Sequence, residues 1–172
     1  MLDRCEAWED VATTQNASPH HRTIAPSRHR AWSGTRGYCH MNKMRLEGQN
    51  FVELNAPTDA QIRQRVLALR STGKHSYASL TSEDGSYVQV AGGGATCMVE
   101  RFDPATGKRE RAFHDKPNPT FPDGTLLVFG AGKLTLKSDE WFAADAVVEI
   151  FLCFKEAREY PDAVHWRPAP GF

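Results

Sequence analysis

Residues 77–90 read Tyr77-Ala78-Ser79-Leu80-Thr81-Ser82-Glu83-Asp84-Gly85-Ser86-Tyr87-Val88-Gln89-Val90. Two extended runs flank an Asp-Gly pair, a strong short-range signal for a β-hairpin. On the return run Tyr87 and Gln89 share one side while Val88 and Val90 share the other, the two-residue period of a strand with one buried face. Gly92-Gly93-Gly94 breaks that strand, and Thr96 to Phe102 forms the next. Asp103-Pro104-Ala105-Thr106-Gly107-Lys108 has the residues of a tight reversal and feeds a fourth strand near Glu110–His114. Residues 76–114 therefore predict an antiparallel meander.

Helical patterns lie on both sides of it. Thr58, with Gln61 three residues on, predicts a capping box; Ile62, Val66 and Leu69 then recur along one helical face, with Gly73 as a left-handed stop. Later, Ser138 followed by Asp139 and Glu140 predicts a capped start. Phe142, Ala143, Ala146, Val147, Ile150, Phe151 and Phe154 make an apolar stripe, and Pro161 is expected to end that helix. Between meander and helix, prolines 117, 119 and 122 mark a long loop, Thr125–Phe129 a buried strand and Lys133–Leu136 a short one; Ala163–Arg167 reads as a closing strand. The fold class that satisfies this order is α+β: a curved antiparallel meander with two main helices packed on one face.

Residues 1–40 differ in composition. They hold His20, His21, His29 and His40 but few aliphatic residues, without helical or alternating periodicity. Such a segment buries too little apolar surface to offset its ordering entropy, so 1–40 is expected to be a tail, or a stretch upstream of a true start at Met41 or Met44, and 41–172 a single domain. The four histidines could serve as a metal arm, yet only His20 and His21 are adjacent and no pattern completes a coordination shell.

Lys+Arg and Asp+Glu both number 21, giving zero formal net charge, and like charges never run five in a row. That argues against nucleic acid as a partner. No apolar run approaches the ~20 residues of a membrane-spanning helix, and the amino end lacks a signal-peptide pattern. Cys5, Cys39, Cys97 and Cys153 are scattered without close pairing, which reads as free thiols in a reducing compartment, the cytoplasm.

Catalytic patterns are weak. Gly92-Gly93-Gly94 and Gly130-Ala131-Gly132-Lys133 open into strands, where a phosphate-cradling loop needs a helix. Cys153 lies among Phe151, Leu152 and Phe154, surroundings that make a thiol inert. Cys97 with His114 on a neighbouring strand is a candidate nucleophile–base pair, though their spacing does not establish the pairing. No cofactor or metal is expected.

The strip Glu100-Arg101-Phe102 and Arg109-Glu110-Arg111 stands out. Pairing through the 103–108 turn would make Glu100 and Arg111 cross-strand neighbours, as a solvated charge ladder or a partner-binding face. On the second reading Glu100, Arg101, Arg109 and Arg111 point outward with Trp166 as an aromatic anchor, and reversing Arg101 and Arg111 to Glu leaves the fold intact. Trp166 as a lid on the core is the alternative.

Asp84 to Gly93 followed by Cys97-Met98-Val99-Glu100-Arg101, and then Leu134-Thr135-Leu136-Lys137, an amphipathic helix and Tyr160-Pro161-Asp162-Ala163-Val164-His165-Trp166, resemble the Imm1-type family of bacterial immunity proteins. The resemblance spans about residues 80–168. It implies a non-enzymatic protein that binds and neutralises a cognate toxin, encoded next door, by occluding it. A general protein-interaction domain, or a small ligand-binding protein or enzyme built from the proline-rich loop and the sheet, are the alternatives.

Overall fold

The computed structural model describes residues 43–170. The expectations for 1–40, for the start at Met41, for the four N-terminal histidines and for Cys5 and Cys39 lie outside the described residues.

Eleven elements follow one another: β1 (Arg45–Gly48), β2 (Leu54–Asn55), α1 (Asp59–Leu67), β3 (Tyr77–Thr81), β4 (Tyr87–Gly93), β5 (Thr96–Asp103), β6 (Lys108–Phe113), β7 (Thr125–Phe129), β8 (Gly132–Leu136), α2 (Ala144–Lys155) and β9 (His165–Pro168). Seven strands make one antiparallel sheet in the order β2-β1-β3-β4-β5-β6-β9, while among the described residues β7 and β8 pair only with each other. The fold is α+β, and β3 to β6 are the expected meander. β1 and β2 were not foreseen. β1 offers a single buried side chain, Leu46, between Arg45 and Glu47, too short a signal for periodicity to register.

Register divides the sheet into two faces. Leu80 stands opposite Val88, Ala78 opposite Val90, and Val90 opposite Val99. These residues join Ile62 and Val66 of α1 and Val147, Ile150 and Phe151 of α2 in one buried cluster, so both helices cover this face. The other face carries Tyr87, Gln89, Met98, Glu100 and Arg111. Met98, Leu127, Phe129, Leu134, Leu136 and Trp141 are buried outside the main cluster, and Leu127 comes against β4 at Gly92. The β7–β8 hairpin thus lies over the face opposite the helices.

Helix boundaries follow local chemistry. The capping box of α1 forms as expected: Gln61 N donates to Thr58 Oγ1 at 3.3 Å and Thr58 N to Gln61 Oε1 at 2.8 Å. Its end differs. α1 stops at Leu67 with Ala68 as a right-handed C-cap, and Gly73 does not have the positive φ of a left-handed stop.

The start of α2 corrects the sequence reading more seriously. Ser138 does not cap a helix; its N and Oγ both donate to Asp123 Oδ1 at 2.7 Å. Phe142 instead bridges to Cys97, with the two residues exchanging backbone hydrogen bonds of 2.8 and 3.0 Å. α2 begins at Ala144, whose N–H is taken by the Gly94 carbonyl at 2.7 Å, a backbone group replacing the absent side-chain cap. Ala143 and Ala146 are exposed, while Val148 and Cys153 join the buried side.

The other end of α2 does not wait for Pro161. Ala157 adopts φ 51°, and Arg158 N reaches back to Cys153 O at 3.0 Å while Ala157 N reaches Phe154 O at 3.2 Å, the double bond pattern of a left-handed helix ending.

The glycine run after β4 is a packing device. A Cβ on Gly93 would lie 2.2–2.4 Å from backbone atoms of Leu69 and Arg70, so only glycine lets the strand approach the end of α1 so closely.

Candidate partner-binding site

Strand alternation decides which charges of the β5–β6 hairpin can meet a partner. Glu100 pairs with Arg111 and Arg101 with Glu110, and adjacent residues on a strand point to opposite faces. The set Glu100, Arg101, Arg109 and Arg111 therefore does not form one surface. Glu100, Arg109 and Arg111 lie under or beside the β7–β8 hairpin, while Arg101 lies on the helix side.

Glu100 and Arg111 are buried, contrary to the expectation that they point outward, and Arg109 is only partly exposed. The side chains of Glu100 and Arg111 are 0% and 3% exposed. Glu100 Oε1 accepts from Gln89 Nε2 at 3.1 Å, Arg109 Nε stands 3.7 Å from Oε1, and Arg111 Nη2 stands 4.0 Å from Oε2. Arg111 Nη1 donates to Glu140 Oε2 at 3.4 Å and to Thr135 O at 3.3 Å. Glu140 also accepts from the Lys137 backbone at 2.9 Å, and Arg167 pairs with Asp139 at 2.6 Å. Asp139 and Glu140, expected to complement a helix dipole, thus neutralise arginines presented by the sheet. Burial raises the Glu100 pKa because its arginine partners are too far away to offset the loss of water fully, and Arg109 and Arg111 pull in the opposite direction.

Arg101 has different surroundings. Its Nε and Nη2 donate to Glu110 Oε2 at 2.9 and 2.7 Å. The guanidinium carbon sits 4.3 Å from the Trp166 ring centroid and 5.4 Å from that of Tyr160, and the two rings are 5.0 Å apart. Trp166 is held in place by β9, which pairs it with Ala112 of β6, and it packs partly buried against the main core. That position fits the lid reading.

Beside Arg101 opens a cavity of about 390 Å³. Tyr87, Phe102, Phe154 and Tyr160 line it together with Arg101, Glu110, Asp103 and Lys108. Tyr87 and Phe102 stack across β4 and β5 with centroids 5.4 Å apart. Asp103 is fixed by the turn, accepting from Ala105 N and Thr106 Oγ1 at 2.9 Å each. Burial raises the pKa of Tyr160, against the pull of Arg101, and of Tyr87, so both keep neutral hydroxyls at physiological pH.

Of the five residues singled out from sequence, Arg101 alone lines this cavity. Phe102, Lys108, Glu110 and Tyr160 were missed as a group. Three of them occupy the hairpin already in view, and Tyr160 begins the segment that carries Trp166.

No protein-family profile, curated protein or solved structure matches the chain.

The nucleophile–base candidates each contact a backbone carbonyl. Burial pushes the Cys97 thiol up to about 12, and its Sγ–H points at the Gly94 carbonyl 3.8 Å away, while His114 Nε2 contacts the Trp141 carbonyl at 2.9 Å. Burial also raises the Cys153 thiol. Among the described residues no three His, Cys, Asp or Glu side chains converge on a metal-sized site. No described helix is long and apolar enough to cross a membrane.

Proposed function

We propose that the chain is a non-enzymatic, cytoplasmic immunity-type protein that binds a cognate protein toxin, the product of an adjacent reading frame, and blocks it through the cavity beside Arg101. The observation that carries this reading is the cavity's construction. Arg101, already paired with Glu110, lies against the rings of Trp166 and Tyr160 beside a cavity whose lining also includes Tyr87, Phe102 and Phe154, on strands and a turn whose positions are fixed by hydrogen bonds. Aromatic and arginine side chains held rigidly around a pocket are the usual setting of interface hot spots, where a partner's anchoring side chain is desolvated. Lys108 and Asp103 at the turn supply charges of both signs for steering and for rejecting wrong partners. Two buried free thiols fit a reducing compartment.

The test is titration of the full chain with the adjacent gene product. A stable complex that suppresses toxicity is expected, and Phe102→Ala should weaken it by at least ~10-fold with an unchanged melt. No complex, or equal affinity in the folded variant, would refute the reading. The cavity volume also falls within the range of small-ligand sites, which favours a free small ligand as the rival. Ligand-induced stabilisation in a metabolite screen, without toxin binding, would establish that alternative.

A further inference from the structure

The small sheet exposes a strand edge whose protection differs from that of the others. Exposed edges are normally blunted by shortness, charge or proline, because unpaired N–H and C=O groups recruit other strands. β2 is two residues long. β9 carries His165 and Arg167 and ends in Pro168. β8 carries Lys133, and its Thr135 carbonyl is occupied by Arg111. β7 reads Thr125-Leu126-Leu127-Val128-Phe129, with neither charge nor proline.

Its side chains make the contrast sharper. Leu127 and Phe129 point inward and are buried, whereas Leu126 and Val128 are 56% and 51% exposed. Gly130 and Ala131 form a two-residue turn flanked by the Phe129–Gly132 pair, so alternation makes Leu127 and Leu134 a hydrogen-bonded pair as well. The backbone groups of Leu126 and Val128 then point away from β8. Among the described residues, none of the backbone hydrogen bonds outside helices and strands involves either residue.

We infer that β7 pairs antiparallel with β7 of a second copy of this chain, about a two-fold axis at Leu127. The strand's sequence fits that operator. In this register Leu126 faces Val128 of the second copy, and Val128 faces its Leu126, so apolar side chains meet apolar side chains twice. Their outward backbone groups form hydrogen-bonded pairs at both positions. On the exposed face Thr135 stands beside Leu126 and Lys133 beside Val128. The two-fold axis places the two lysines in different cross-strand rows, so like charges do not oppose each other. The same patch on both subunits is the isologous contact of a two-fold dimer, and it leaves the Arg101 cavity uninvolved.

Sedimentation velocity on the full chain tests this. The wild type should sediment at twice the chain mass and dissociate on dilution. Val128→Lys and, separately, Leu126→Lys should sediment as monomers with wild-type melts, because both side chains already face water. Amide exchange at Leu126 and Val128 should slow as wild-type concentration rises, which keeps the test independent of how the variants fold. A wild type that stays monomeric with concentration-independent exchange overturns the inference, even if β7 then captures a strand of another protein. So does a dimer that persists in both lysine variants.

Discussion

The two faces of the seven-stranded sheet are closed by opposite chemistry. On the helix face, Val88, Val90, Val99 and Ala112 meet Phe151, Ile150 and Val147, and apolar burial alone seals the contact. On the hairpin face, the apolar residues around Met98 give way to Glu100, Arg111 and Glu140, buried beside the β7–β8 hairpin, with Arg109 and Arg167 partly exposed at their side. Apolar packing tolerates substitution in proportion to volume lost, whereas a buried charge network holds only while each member keeps its partners. Charges that read as a solvated ladder thus fasten the smaller sheet to the larger one, and the surface proposed to meet a partner lies instead beside Arg101.

Substitutions can break or sharpen that contrast. On the helix face Phe151→Ala should cost about 3–5 kcal/mol and Ile150→Ala about 2–5 kcal/mol in urea unfolding. Glu149→Ala should cost far less, because Glu149 points outward to Arg158 at 2.7 Å. An Ile150→Ala midpoint equal to that of Glu149→Ala would mean the apolar seal is misplaced.

The hairpin face should respond to pH. Glu100 has a raised pKa when folded, so the folded chain holds this proton to higher pH than the unfolded chain, whose value lies near 4.5. Its contribution to stability is present below that value and declines as pH climbs through the folded value. Glu100→Gln should therefore flatten the fall in unfolding midpoint above pH 4.5, and an unaltered slope would show that the carboxyl is not desolvated.

Asp123 should give the smallest effect and the opposite sign. Backbone and side-chain hydrogen bonds from Ser138 hold its carboxyl below the ordinary 3.8. Its contribution is present above that value and lost as pH falls through the folded one, so Asp123→Asn should reduce acid sensitivity slightly. Unchanged acid unfolding in that variant would contradict the Ser138 anchor.

The meander was legible because alternation of Val88 and Val90 and the Asp-Gly turn are local signals, and the turn at 103–108 fixed Glu100 opposite Arg111. The same alternation also showed that Arg101 and Arg111 face opposite ways, a consequence the sequence reading overlooked. Other features depended on distant residues. Ser138-Asp139-Glu140 has the composition of a helix start, but Asp123 takes the serine, and Arg111 and Arg167 take the acids. Burial of Glu100 depends on a hairpin folding back over it, which no local pattern records. The cavity draws on β4, the β5–β6 hairpin, α2 and Tyr160, so it exists only after the sheet has assembled.

The division of charges by face is tested most directly by unfolding Arg111→Ala beside Arg101→Ala in urea at neutral pH. Removing Arg111 leaves buried Glu100 and Glu140 short of a partner, and about 3–5 kcal/mol should be lost. Removing Arg101 forfeits a partly exposed ion pair and a ring contact, about 1 kcal/mol. Equal losses, or an Arg111→Ala variant as stable as the wild type, would contradict the account.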